Sequence, residues 1–349
     1  SPARPDGTTP LYLAAQNGHY EICKLTINNV DDKNPATNDG VTAFYMAACQ
    51  GHYEICKLII EYLDDKNPAM SNGVTPLLMA AKKGHYEVCK LIISNVDDKN
   101  PADNNGVTPL FMSAWNGHFE TCKLIISNVD DKNPANNDGL TPLYMAAGND
   151  HFDICKLIID NVNDKNPVMP YGFTSLYMAA QKGHYEICKL IISKVDEKNP
   201  AIDDGATPLH IAAEHGRYEI CKLIIASVNE KNPARQDGVT PLHVAAENGH
   251  SEIFKLIFES LGNNNKNPGT NRGHTPLHTA ARHGHLEICK IIIDELDDKN
   301  PAAIDGLTPL YLAANHGHLE VFKLIFEKVK CCQHIHTTNT PSILKSCEF

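Results

Sequence analysis

The sequence predicts an all-α solenoid, a line of stacked helical hairpins. Three observations predict it. Ten turn glycines (Gly7, Gly40, Gly73, Gly106, Gly139, Gly172, Gly205, Gly238, Gly273 and Gly306) recur at steps of 33 residues, with one step of 35 between Gly238 and Gly273. Two residues after nearly every one stands a Thr-Pro pair, an N-cap and a first-turn residue for a helix. Apolar residues then recur at helical spacing in two separate runs. A fixed period of this length signals stacked supersecondary units, and it overrides the two or three globular domains that 349 residues would otherwise imply. The expected organisation is one array over residues 1–330. Its units lie at about 4–36, 37–69, 70–102, 103–135, 136–168, 169–201, 202–234, 235–269, 270–302 and 303–330, followed by a non-repeat tail, 331–349, expected to be disordered.

The fourth unit shows why each element forms. Thr108-Pro109-Leu110 opens a helix whose narrow face is Leu110, Ser113 and Ala114; most units place two alanines there, as Ala80-Ala81 do, so the helix can lie close to its neighbour. Gly117 supplies a left-handed turn at little steric cost. A second helix starts near His118, with Cys122, Ile125, Ile126 and Val129 on its apolar face and Glu120 and Lys123 paired on the polar one. Asp130-Asp131-Lys132-Asn133-Pro134 ends it, because a residue before proline avoids the helical region. A Gly-bearing finger such as Asn105-Gly106 precedes each first helix.

These motifs resemble the ankyrin repeat. Thr207-Pro208-Leu209-His210-Ile211-Ala212-Ala213 and Thr240-Pro241-Leu242-His243-Val244-Ala245-Ala246 match its signature in full, and the resemblance covers about 325 residues. It implies a helix-turn-helix and β-turn solenoid with a concave ligand face. The chain departs from the family in four ways. The signature histidine remains only as His210, His243 and His278, with Tyr, Leu or Phe elsewhere, so its tie to the neighbouring loop must change there. The glycine that usually ends the second helix is apolar (Val30, Leu63, Val96 and their equivalents), which predicts another helical turn. Asp150 replaces the inter-helix glycine of unit five, at a cost of about 1 kcal/mol in the left-handed region. Ala43 and Ser175 replace the Thr-Pro proline at little cost.

Charge and cysteine usage exclude several classes. Lys and Arg total 31 against 42 Asp and Glu, a net charge of −11, which argues against a nucleic-acid partner. No run of about 18–20 apolar residues offers a membrane span, and no secretory leader opens the chain, which begins at Ser1. Eight cysteines (Cys23, Cys56, Cys89, Cys122, Cys155, Cys188, Cys221 and Cys289) hold one fixed place in the unit, and Phe254 and Phe322 fill the same place in two others. Equivalent positions lie about one helix spacing apart, roughly 8–10 Å, too far for a disulfide or a shared zinc ion. Small core hydrophobes with reduced thiols, and so a cytoplasmic location, are expected. The Gly-His histidines, such as His52, His85 and His118, read as structural capping residues, with a pH sensor as the sharper alternative. The loop Asn row (Asn34, Asn67, Asn100 and equivalents) aligns with the position hydroxylated in some ankyrin proteins, but sits here between Lys and Pro; a structural role bonding nearby backbone is the default. Thr26, where other units carry Ile, suits an N-terminal cap. In the tail, Cys331, Cys332, His334 and His336 lack the usual zinc spacing, and Cys347 is no prenylation signal.

The resemblance places ligand contacts on the fingers and the ends of the first helices, where this sequence varies most. Candidate partner-binding residues are Met70, Lys82, Lys83, Val107, Trp115, Asn116, Met169, Tyr171, Phe173, Lys182, Asp203, Asp204, Glu214 and Glu247. Trp115, the sole tryptophan, and Tyr171 with Phe173 resemble interface anchors. The apolar residue after each turn glycine (Val41, Val74, Val107, Leu140, Phe173, Val239, Leu307) is expected to be exposed, as a partner stripe or as local packing between fingers. Asp203, Asp204, Asp237, Glu214 and Glu247 form either a solvated face or a patch that selects a basic partner segment. No Gly-rich phosphate loop, G-x-S-x-G elbow or H-E-x-x-H motif is present, and the repeated His, Cys and Glu decorate every unit without converging. The expectation is a monomeric, non-enzymatic scaffold for a protein or peptide, without cofactor, metal, nucleic-acid or membrane-inserting function. The alternative is the recognition arm of something larger: a channel, an enzyme subunit, a toxin or an effector.

Overall fold

The computed structural model describes residues 3–262 and 266–338, with side chains described as far as Lys330. Its twenty described α-helices come in consecutive short pairs, and the described residues contain no strand. They form two compact bodies, Ser1–Val195 and Asp196–Phe349. In the first body the first helices are Pro10–Gln16, Ala43–Gln50, Pro76–Lys83, Pro109–Trp115, Pro142–Gly148 and Ser175–Lys182. Their partners are Tyr20–Asn28, Tyr53–Ile60, Tyr86–Ile93, Phe119–Ile126, Phe152–Asn161 and Tyr185–Ile192. In the second body the pairs are Pro208–Glu214 with Tyr218–Ser227, Pro241–Asn248 with Ser251–Ser260, Pro276–His283 with Leu286–Glu295, and Pro309–Asn315 with Leu319–Thr338. Within each body a first helix packs on the first helices of its neighbours and a second helix on neighbouring second helices.

Every first helix begins at the predicted threonine. In the first body its hydroxyl accepts the N–H three residues on, as Thr108 does from Phe111 at 3.1 Å. In three repeats of the second body the histidine at that third position closes a capping box: the Thr240 N–H donates to His243 Nδ1 at 3.2 Å. With Nδ1 accepting, Nε2 carries the proton and donates to the His274 carbonyl of the next finger at 3.0 Å. His210 and His278 reach Val239 and Leu307 in the same way.

The Gly-His histidines tie repeat to repeat. His85 Nε2 meets the Cys49 carbonyl at 3.1 Å, His118 that of Lys82 at 3.0 Å, His151 that of Trp115 at 3.1 Å and His285 that of Glu247 at 3.0 Å. Each ring covers the glycine of the preceding repeat; a Cβ on Gly84 would lie 2.5 Å from His118. That glycine is needed for space as well as for its φ of +75°. Asp150 does adopt the left-handed region, with φ 61°, and its Oδ1 lies 3.4 Å from His184 Nδ1.

The last second helix, Leu319–Thr338, runs through Val329, but those of the other nine repeats do not gain the extra turn. They stop at or before the residue preceding the valine, as at Ile93 ahead of Val96, and the loop lysine takes over the glycine's role. Lys66 donates to the Ile60 carbonyl at 2.7 Å, Lys132 to Val129 at 2.6 Å, and Lys99 to both Ile93 and Val96. An ammonium on the orphan carbonyls also suits the negative end of the helix dipole. The remainder of the loop is closed as well: the Asn100 N–H donates to Asp98 Oδ1 at 2.9 Å, and Asn100 Oδ1 accepts the Leu110 N–H of the next first helix at 2.8 Å. The loop asparagines thus have the structural bonding expected of them. The last helix runs on past Lys330 to Thr338, so the start of the stretch expected to be disordered is helical; residues 339–349, with Cys347, lie outside the described residues, as do the side chains of Cys331, Cys332, His334 and His336.

Candidate interaction surface

One face of each body is built from the fingers and the first helices. A finger is a tight turn closed by its first and fifth residues: the Met70 N–H donates to the Val74 carbonyl at 2.9 Å and the Gly73 N–H to Met70 at 2.9 Å. Successive fingers are linked, with Asn104 N–H to Asn72 at 3.0 Å and Asn137 N–H to Asn105 at 3.0 Å. The finger of repeat six differs. Pro170–Gly172 forms a 3-10 turn in which Tyr171 holds φ 65° ahead of the turn glycine Gly172 at φ 83°, and Tyr171 is 75% exposed.

The candidate residues divide by burial. Lys82, Lys83, Asn116, Lys182, Asp203, Asp204, Glu214 and Glu247 are exposed at the first-helix ends and fingertips, and Trp115 is 44% exposed. Met70, Val107 and Phe173 are half-buried. Met169 is a correction. It is 5% exposed, at the first finger position, whose N–H and carbonyl close the turn with Phe173 and Gly172. The residues after the turn glycines are also less exposed than expected: Val41, Val74, Val107, Leu140, Phe173, Val239 and Leu307 are all half-buried. Val74, Val107 and Leu140 pack, with Met79 and Met145, against a buried cluster of Leu78, Phe111 and Met112. Trp115 extends that cluster, its ring edge-on to Phe111 at 6.1 Å, and Phe173 meets Tyr177 edge-on at 5.3 Å.

The methionines were missed as a site feature. Met46, Met79, Met112, Met145 and Met178 occupy the fourth residue after the capping threonine in five consecutive repeats. All but Met112 are half-buried. The signal was present in the sequence as a residue type confined to one register. In the second body the register holds Ile211, Val244, Thr279 and Leu312.

The acidic patch is partly self-neutralised. Arg235 lies 3.3 Å from Asp204 and 3.9 Å from Asp237, whereas Asp203, Glu214 and Glu247 stand in solvent. Shallow clefts line the molecule: one of 680 Å³ runs between the loops bearing Asp97, Asp98, Asp130 and Asp131, and one of 560 Å³ between Asp237, Glu247, Arg272 and Arg282. Among the described residues no group of His, Cys, Asp and Glu could hold a metal ion. The repeated cysteines are free and buried. Burial pushes their thiols up, to about 12 at Cys89, Cys122, Cys188, Cys221 and Cys289, which removes them as nucleophiles. Burial likewise depresses His210 and His243 to about 4, against the opposing pull of their carbonyl partners, so both rings are neutral at pH 7. Such a face can bind a partner by shape, charge and apolar contact.

The family profile for ankyrin repeats in three copies matches residues 1–70, 63–136, 121–201, 193–268 and 260–337. The chain belongs to the ankyrin repeat family. No curated protein matches it. Ankyrin repeats are in general protein-protein interaction modules and typically non-enzymatic. Among the described residues no helix is long and apolar enough to cross a membrane.

Proposed function

We propose that this ankyrin chain is a non-enzymatic scaffold that holds a protein or peptide across its fingers and first-helix ends. One observation carries the reading: the sole tryptophan, Trp115, stands exposed and edge-on to the buried Phe111, and the tyrosine in a positive-φ turn, Tyr171, stands exposed on the finger of repeat six. Exposed aromatics on rigid elements are the usual anchors of an interface, and a non-glycine residue held in a costly conformation is a marker of a functional position. Asp203, Glu214 and Glu247 would add selectivity for a basic segment of the partner. The reduced, buried thiols favour an intracellular setting. Affinity capture with the whole chain as bait, followed by binding measurements on Trp115→Ala and Tyr171→Ala, tests the reading. The captured partner should bind each variant at least about tenfold more weakly, as expected of anchors worth more than 1.4 kcal/mol. Unchanged affinity for both would move the contact elsewhere.

A further inference from the structure

We infer that the two outermost repeats are mates, so that the last repeat of one copy of this chain stacks on the first repeat of another. The inference is independent of the scaffold reading, uses other faces, and departs from the monomer expected of the sequence. A terminal repeat of a stacked array ordinarily turns a polar face outward. Here both outer faces are apolar. Ile22 is 51% and Leu25 67% exposed on the first repeat, although the Ile22 register is buried in every later repeat, as at Ile55 and Val88. Thr26, expected to cap this end, donates its hydroxyl to the Ile22 carbonyl of its own helix at 2.7 Å and leaves those side chains uncovered. On the last repeat Tyr311 is 56% and Phe326 40% exposed, in registers that bury Phe111 and Phe258. Exposed apolar faces of this kind mark interaction sites.

The two outer faces are the two halves of one joint. The third residue of a first helix looks forward, as His278 does to the Leu307 carbonyl of the next finger, and Tyr311 holds that register. The fourth looks back: Met178 Cγ would lie 3.1 Å from a Cβ on Gly148 of the repeat before, and Leu13, also exposed, holds that register. A polar tie completes the match. His52 covers Gly18, at 2.7 Å from a Cβ there, and its Nε2 meets the Gln16 carbonyl at 3.2 Å. At the last repeat the same register holds Gly317, where a Cβ would meet nothing within 4 Å, and the carbonyl of Asn315. At the first repeat His19 presents the ring, exposed and with no side-chain partner among the described residues. Pro5 lacks the N–H with which Asn104 or Asn137 joins the finger before, but Pro170 holds the same register inside the first body, seated against Gly139. Each copy carries one backward face and one forward face, so a second copy supplies what each end lacks and continues the packing already present between repeats. Because the two faces differ, every contact leaves one of each unpaired, and association passes beyond a dimer unless it closes into a ring.

Sedimentation velocity on the full chain tests the inference. The wild-type mass should rise with concentration up to about 100 μM, well above the Kd of an ordinary specific contact. Ile22→Glu with Leu25→Glu blocks the backward face, and Tyr311→Glu with Phe326→Glu blocks the forward one. Each double variant alone should stay monomeric, with an unchanged thermal midpoint. An equimolar mixture of the two should form a dimer and nothing larger, because one open face of each kind remains. His19→Ala should weaken the wild-type association about fivefold, the effect of one hydrogen bond lost across the joint. A wild-type chain that is monomeric over the whole range overturns the inference whatever the variants do. So does a double variant that associates as the wild type does, or a mixture that stays monomeric.

Discussion

The two compact bodies solve the same structural problem with different chemistry. In Ser1–Val195 the third residue of each first helix is Tyr, Leu or Phe and the fourth is mostly Met, so finger and helix are joined by apolar contact. In Asp196–Phe349 three of four repeats keep a buried histidine that joins its own threonine to the carbonyl of the next finger. The exposed helix ends differ as well, with Lys82, Lys83 and Lys182 in the first body and Glu214, Glu247 and Arg282 in the second. Hydrogen bonds fix distance and direction, whereas apolar packing tolerates substitution. The second body is thus the more uniform frame and the first the more adaptable surface.

The largest effect that would sharpen this contrast is expected at the apolar joint. Phe111 is 2% exposed among Leu78, Met112 and the finger residues. Phe111→Ala should destabilise the first body by about 3–5 kcal/mol, read as a lowered urea midpoint and faster amide exchange in repeats three to five. A loss confined to the second body would break the comparison.

Next comes pH. His210 and His243 are depressed from 6.5 to about 4, and His278 is lowered too, because burial opposes the imidazolium. Protons then bind the unfolded chain first. The stability these residues supply is complete above pH 6.5 and is lost as pH falls from there towards 4, by on the order of 3 kcal/mol for each of the first two. Urea titrations from pH 7.5 to 4 should show the loss. The triple variant His210→Tyr, His243→Tyr and His278→Tyr, which copies the first body's chemistry, should flatten that part of the profile. An unchanged profile would mean other groups govern the acid response.

The smallest effect concerns the left-handed exception. Asp150→Gly removes a strained φ of 61° but also the contact with His184. A net gain of about 0.5–1 kcal/mol is expected, seen as a raised thermal midpoint; a loss would mean the His184 contact outweighs the strain.

Much of this was legible in the sequence, because a 33-residue period repeats its own evidence. The threonine caps, the left-handed Asp150 and the buried cysteines follow from residue type and register, whereas the Gly-His histidines, expected as caps, stand at the N-cap without a side-chain cap bond and tie to the preceding repeat instead. What escaped depended on partners distant along the chain or on register within a turn. Val96 read as a longer helix because nothing local shows that Lys99 will bend back onto the Ile93 carbonyl. Met169 read as a fingertip because it stands in the variable stretch Met169-Pro170-Tyr171 ahead of the turn glycine, although its own position closes the turn. The methionine register was visible as letters, but the half-buried state of all its members except Met112 required the packing of the fingers.

The central claim is that partners are held by fingers and first-helix ends. Hydrogen–deuterium exchange of the chain with and without a captured partner tests it most directly. The account predicts protection confined to fingers and first helices, strongest between Met70 and Gly183, with the second helices unchanged. Protection on the second helices and their lysine-capped loops, with fingers untouched, would contradict it.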